Sequence, residues 1–248
     1  MDPRFETNME TLTDVAKKGT RRKERSAESV KASEDIRPVS SCRQAPNKSG
    51  RYMIQIGENT TPFEVLCEQN THFGGGWIVI QQRLTGSVDF YRNWTEYRNG
   101  FGDLESDFWL GLEHMHQITN NRPHELLVEL KDFKGKYIYA RYNEFEIGSE
   151  TDQFKLTKLG NYSGTAGNSM ANNKGFKFST FDRSHDNLEG RCPNNHQAGW
   201  WFYHCTQASL NGRLEDLGND WRSVFWYHYK YEYRGMAYAR MLIRDIVN

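Results

Sequence analysis

The residues best suited to chemistry gather in one stretch, Phe178 to Arg213. Cys192 and Cys205 lie close together there, with His196 and His204 between them. Thiols and imidazoles so arranged have two uses. They can form a disulfide, or they can offer zinc a ligand set of Cys192, His196, His204 and Cys205. The adjacent His204-Cys205 makes shared tetrahedral ligation awkward, and no Cys-x-x-Cys spacing of the zinc-ribbon kind occurs in the chain. Ahead of the cysteines runs an acidic, loop-like segment, Asp182 to Glu189. Neither the 3.6-residue period of a helix nor the alternation of a long strand organises this stretch. Such a segment, with Trp200 and Trp201 side by side, needs a cross-link or a bound ion to stay ordered, and long ordered loops are usually functional.

Four cysteines occur in all, Cys42, Cys67, Cys192 and Cys205, and four allow three pairings. The simplest is local, Cys42 with Cys67 and Cys192 with Cys205. Asn47, Asn59, Asn93 and Asn161 each open an Asn-x-Ser/Thr sequon, which fits a secreted glycoprotein. Catalytic signatures are missing: there is no GxSxG, no HExxH and no phosphate loop. His114-x-His116 places its two histidines on different faces of a helix and reads as surface. The expectation is a binding protein, not an enzyme.

Lys+Arg and Asp+Glu are both 32, a formal net charge of +0, which argues against a general nucleic-acid binder. No apolar run approaches a membrane span. Hydrophobic residues make up only 37%, but aromatics reach 14% and can build a core from few side chains. Residues 1–40 form a polar leader with a basic cluster from Lys17 to Arg25, expected to be solvated and disordered. A processing site or a nuclear signal is the sharper reading of that cluster. No apolar segment opens the chain, so no signal peptide is visible. This conflicts with secretion and leaves a misassigned start, a missing exon or an intracellular location as the alternatives.

The elements that must hold the stretch follow from pattern. Tyr52–Ile56, Phe63–Cys67 and Trp77–Gln81 read as strands, and the Gly74-Gly75-Gly76 turn admits the bulky Trp77. Asn93 caps a short helix whose stripe is Trp94, Tyr97 and Phe101, and Gly100 and Gly102 stop it. A second helix runs through Leu112, Met115 and Ile118 and ends at Asn120-Asn121. Leu126, Val128 and Leu130 alternate as a strand, Lys134-Gly135-Lys136 turns it, and Tyr137–Tyr142 returns. Met236–Ile246 is the last strand. Strands with a few short helices make the fold α+β. Asn211-Gly212 is a strong turn signal.

Taken together, Gly74-Gly75-Gly76-Trp77, Gly86-Ser87-Val88-Asp89-Phe90, Phe101-Gly102, Phe108-Trp109-Leu110-Gly111, the Phe178–Arg213 stretch and all four cysteines resemble the fibrinogen C-terminal globular domain. The resemblance covers residues 41–246, and the arthropod fibrinogen-like immune type looks most similar. It implies a small N-terminal subdomain bridged by Cys42 and Cys67. A central, mainly antiparallel sheet with short helices follows, and then a loop-rich C-terminal binding subdomain bridged by Cys192 and Cys205.

The resemblance also implies chemistry. Calcium in this family sits before the third cysteine, on positions that fall here at Ser184, Asp186, Leu188 and Gly190. Ser184 stands where an aspartate is usual, which weakens the site, and Asp182 or Glu189 would have to compensate. Ligands bind beside that loop, at positions matching His196, His204, Cys205, Thr206, Asp220 and Trp221. Many members have a cis peptide before the fourth cysteine, here His204–Cys205, so that backbone N–H groups face an acetyl carbonyl. Thr206 replaces a usual histidine, which points to a shifted specificity. Trp200 and Trp201 read as core. The run from Trp226 to Tyr233 combines packing with a face for sugar stacking or protein contact. The implied function is a secreted recognition protein for glycans or acetylated groups on microbial or host surfaces in innate immunity. The alternative is an extracellular protein-binding ligand or assembly module of the angiopoietin or fibrinogen kind. The implied partners are a glycan or a cell-surface protein, and a homo-oligomer fits either reading because a stalk commonly supplies avidity.

Overall fold

The computed structural model describes residues 37–186, 188 and 191–246. The leader as far as residue 36, with its basic cluster, lies outside the described residues, as does Gly190.

The first three strands are β1 (Gly50–Ile54), β2 (Phe63–Glu68) and β3 (Trp77–Arg83). Each of β1 and β2 shows a solvent face, whereas every residue of β3 is buried. An uninterrupted run of buried residues marks a strand covered on both faces. Helix α1 (Trp94–Asn99) follows and stops at Gly100, so Phe101 and Gly102, expected in the helix and at its end, form the short strand β4 (Phe101–Gly102) instead, paired with β5 (Phe108–Trp109). Asn93 caps α1 as expected: its side chain accepts from Glu96 N–H, and Glu96 reaches back to Asn93 N–H. Helix α2 (Leu112–Asn121) buries Leu112, Met115 and Ile118, the stripe seen in the sequence.

Next come β6 (His124–Asp132) and β7 (Tyr137–Ile147), joined by the Lys134-Gly135-Lys136 turn, then β8 (Leu156–Leu159) and β9 (Tyr162–Gly164). Helix α3 (Arg191–His196), β10 (Ala208–Ser209), β11 (Phe225–Trp226) and β12 (Met236–Asp245) complete the chain.

One ten-stranded sheet runs β1-β2-β3-β12-β6-β7-β8, with β5 on β3, β4 on β5 and β9 on β7. Its strand pairings are antiparallel. The last strand inserts between β3 and β6, so the C-terminal segment closes the middle of the sheet. The α+β architecture is thus as expected.

The two faces of β6 differ. His124, Leu126, Val128 and Leu130 face one side, and Leu126 and Val128 join the core. Glu125 and Glu129 face the other, yet both are buried. They pair across the sheet with cations. Arg244 meets Glu125 at 2.7 Å, Arg141 meets Glu125 at 2.6 Å, and Arg240 reaches both Glu129 and Glu68. Tyr137 Oη donates to Glu129 at 2.7 Å. Buried charges are most often paired in this way.

The aromatic core joins the sheet to the C-terminal loops. Trp109, Phe178, Trp200, Trp201 and Phe202 are fully buried. Phe178 and Trp201 meet edge to face at 5.1 Å between centroids. Gly199 is required by this packing, since a Cβ there would lie 2.6 Å from the Tyr97 ring and 2.8 Å from the Phe178 ring.

Candidate functional site

Both local disulfides are formed, Cys42–Cys67 and Cys192–Cys205, and no cysteine is free. The zinc arrangement on Cys192, His196, His204 and Cys205 is thereby overturned, because neither sulfur is a thiolate. Among the described residues no group of three or more acidic, histidine or cysteine side chains converges on a metal position.

The acidic loop before Cys192 is organised by hydrogen bonds. Asp186 Oδ1 accepts from Ser184 Oγ at 2.9 Å and Leu188 N–H at 3.3 Å, and Oδ2 accepts from Cys192 N–H at 2.8 Å. A carboxylate accepting a backbone N–H in the first turn suits a helix N-terminus, and it ties the loop to α3. Asp182 is engaged elsewhere, accepting from Trp94 N–H at 3.0 Å and Thr180 Oγ1 at 2.7 Å. The Leu188 carbonyl accepts from Arg191 N–H at 3.3 Å. Calcium takes 6–8 oxygens, several of them anionic in a tight site. Ser184, Asp186 and Leu188 offer one carboxylate that already accepts three protein donors, so these residues fit calcium poorly.

Of the ligand positions, His196 is 3% exposed and stacks on Phe202 and Phe225, at 5.2 and 5.8 Å between centroids. Its Nδ1 lies 2.7 Å from the Trp221 carbonyl. A carbonyl only accepts, so Nδ1 carries the proton. Burial pushes the imidazole pKa down to about 4, against the pull of that carbonyl and of Asp220. The ring is therefore neutral at pH 7 and pins the 220–221 segment onto α3 from beneath.

Thr206 also faces inward. Its Oγ1 accepts from Asn173 Nδ2 at 3.0 Å and Ala208 N–H at 3.1 Å. Described peptide bonds are all trans, so His204–Cys205 lacks the cis geometry that the resemblance implies. The chain reverses there through Cys205, at φ +60°, with Tyr203 N–H donating to the Cys205 carbonyl at 2.9 Å. Asp220 is half-buried and turned onto Arg222, whose guanidinium holds the carboxyl below its ordinary range. These positions lie on one disulfide-bounded subdomain, but the side chains of His196, Thr206 and Asp220 are spent on holding it.

What remains outward is His204, exposed against the Tyr203 ring at 4.2 Å, and a set of larger aromatic side chains. Trp221 is 53% exposed and Tyr231 70%. Trp221, Tyr233, Tyr227 and Tyr231 touch in sequence, at 6.4, 5.0 and 5.9 Å between centroids, and form a continuous ridge. Phe225 lies beneath Tyr233, and buried Trp226 donates its indole N–H to the Gly167 carbonyl at 2.8 Å. The run from Trp226 to Tyr233 thus divides into packing and display as expected. Exposed Phe181 and Tyr91 form a separate pair at 4.8 Å, which the sequence reading did not single out. Asn47, Asn59 and Asn161 are exposed, whereas Asn93 is half-buried and spends its side-chain oxygen on the α1 cap.

Residues 39–246 match the family model "Fibrinogen beta and gamma chains, C-terminal globular domain". Human angiopoietin-related protein 1 is 37% identical over 222 residues, covering 84% of this chain and 44% of that protein. Chicken tenascin is 39% identical over 197 residues, 79% of this chain and 11% of that protein. The chain therefore spans less than half the length of these curated relatives. Among solved structures, the fibrinogen-like globe domain of human ANGPTL2 aligns with a TM-score of 0.79 at 35% identity, covering 84% of this chain and 99% of that domain. Lamprey fibrin D-dimer, complexed with the peptide Gly-His-Arg-Pro-amide, aligns with a TM-score of 0.76 at 30% identity, covering 86% of this chain and 77% of that chain. These relatives are vertebrate, of the angiopoietin-related, tenascin and fibrin kinds, and give no support to the arthropod refinement. The chain belongs to the fibrinogen C-terminal globular domain family.

Proposed function

We propose that this domain is an extracellular, non-catalytic module that binds a cell-surface protein, in the manner of an angiopoietin-type ligand. The observation that carries this reading is the ridge of exposed Trp221 and Tyr231 joined through half-buried Tyr227 and Tyr233. Large aromatic side chains with a polar tip are enriched at the centres of protein interfaces. The inward turn of His196 and Thr206 and the pairing of Asp220 with Arg222 leave the acetyl-group pocket with few free donors. Similarity to angiopoietin-related proteins and to a fibrin structure holding a peptide points the same way. Two disulfides and three exposed sequon asparagines support secretion into an oxidising compartment.

Glycan recognition of the arthropod immune kind is the second proposal. Its support is that the same ridge offers ring faces on which a sugar can stack.

Binding of the fluorescently labelled domain to intact cells separates the two. Protein recognition predicts that protease treatment of the cells abolishes binding, that excess N-acetylglucosamine leaves it intact, and that Trp221→Ala with Tyr231→Ala weakens it about tenfold or more. Competition by the sugar, with protease having no effect, would establish the glycan reading instead.

A further inference from the structure

A cleft lies beside the segment that carries Trp221, since Arg213 in its lining donates its N–H to the Arg222 carbonyl at 2.7 Å. It has a volume of about 350 Å³, and the 86–91 loop and the 211–215 segment form its walls. That volume suits a ligand of amino-acid or monosaccharide size. Arg83, the last residue of β3, lines it and is only 2% exposed. Its Nε and Nη1 are buried without a hydrogen-bond partner. The guanidinium lies over the Phe90 ring, 3.8 Å from its centroid. That contact stabilises the cation's face, and Asp107 and Asp89 act on its charge, but Nε–H and Nη1–H are left without an acceptor. Gln197 lines the same cleft, and its Oε1 is a buried acceptor without a donor.

Buried polar groups in folded proteins are nearly always bonded, so a donor fork and an acceptor left over in one cleft require explanation. The surroundings narrow the ligand. Arg213 adds a second cation to the lining, while Asp89 and Glu215 add two acids. Two acids disfavour a doubly charged phosphate. A planar monoanion matches a guanidinium fork with two parallel hydrogen bonds. The unpartnered Gln197 oxygen requires an N–H or O–H beside that anion.

We propose that this cleft is a carboxylate-recognition site. Arg83 holds the carboxylate of a small ligand, and Gln197 accepts a hydrogen bond from an adjacent donor. A peptide C-terminus, with its neighbouring amide N–H, and an acidic sugar, with its neighbouring hydroxyl, share this chemistry.

The test titrates the intact, disulfide-bonded chain with four probes: glycyl-alanine, glycyl-alanine amide, glucuronate and methyl glucoside. The readout is the ¹H–¹⁵N resonance of the Arg83 Nε–H group. A saturable shift with an apparent Kd of about 1 mM is expected for at least one carboxylate and for neither neutral analogue. Preference for glycyl-alanine assigns a peptide terminus, and preference for glucuronate assigns a sugar acid. In Gln197→Glu a second carboxylate faces the ligand's own, and affinity should fall about tenfold or more. Arg83→Met should abolish binding. Should that variant fail to fold, Gln197→Glu decides alone, since Gln197 is only half-buried. No saturable shift up to about 10 mM of either carboxylate would overturn the proposal. Undiminished affinity in Gln197→Glu would do the same.

Discussion

His196 shows how a residue that looks like a ligand can be a fastener. Its ring stacks on Phe202 and Phe225, and its Nδ1 serves the Trp221 carbonyl. With a folded pKa near 4 and an ordinary value of 6.5, the unfolded chain binds the extra proton between those limits. Stability from this group is complete above pH 6.5 and is lost as pH falls toward 4. Between pH 7.5 and 5 the loss is about 2 kcal/mol. His124 and His185 shift downward too, chiefly by burial, so they add to the same slope. Urea unfolding of His196→Phe at the two pH values should therefore show a slope reduced by about 2 kcal/mol, not abolished. An unchanged slope would mean that His196 is solvated in the native state. Asp186 supplies the second residue-level prediction. Since its carboxylate already accepts three protein donors, the melting temperature in about 1 mM calcium should match that in EDTA. A bound ion with a Kd of about 10 μM would instead add about 2.7 kcal/mol. Asp186→Ala should destabilise by about 1 kcal/mol through the lost hydrogen bonds to Leu188 and Cys192 N–H.

At the scale of elements, the sheet's charged face is where burial and sequence pattern part company. Arg240 spans Glu129 and Glu68 with its side chain only 14% exposed. Removing one member of such a set strands the others, at about 3–5 kcal/mol, whereas replacing the pair by apolar groups is often close to neutral. Arg240→Met alone should cost about 3 kcal/mol, and Glu129→Leu with Arg240→Met should recover at least about 1 kcal/mol of it. Additive losses in denaturant titrations would contradict the pairing. The same face explains what could be read from the chain. The buried run of β3, the alternation of Leu126, Val128 and Leu130, and the Asn93 cap are local signals and gave the right elements. Glu125 and Glu129 alternate with apolar residues just as a solvent-facing row would. Their partners on β12 lie 119 and 111 residues away, beyond any local pattern. Helix α3 was missed because it is six residues long and contains a proline. It is held by Asp186 and the Cys192–Cys205 bridge, not by an apolar stripe. For the site, the resemblance located the right loops, but no pattern in the sequence tells whether His196, Thr206 or Asp220 points outward. That depends on Trp221, Asn173 and Arg222, which packing alone brings to them.

For the whole molecule, the balance of charge and the size of the ridge set how it should bind. Lys+Arg and Asp+Glu are equal at 32 each, so no net field steers a partner in from a distance. Association should be slow for a protein pair, near 10⁵–10⁶ M⁻¹s⁻¹, and should change by no more than about twofold between 0.05 and 0.5 M salt. A ridge of four rings is a small hot spot, and small interfaces give weak, fast-dissociating complexes. The ridge packs on buried Phe225, and the Trp221 carbonyl is held by His196, so two copies on one linker can engage together. The curated relatives extend well beyond the segment that this chain matches, human angiopoietin-related protein 1 sharing only 44% of its length with it. Fusing the domain to a dimeric, flexible linker should therefore raise apparent affinity for cells by about 10²–10⁴-fold, almost entirely through slower release. Trp221→Ala in both copies should remove that gain while leaving the melting temperature unchanged, because the ring is more than half exposed. If instead the dimer releases as fast as the monomer with both domains folded, the ridge is not the surface that meets the partner.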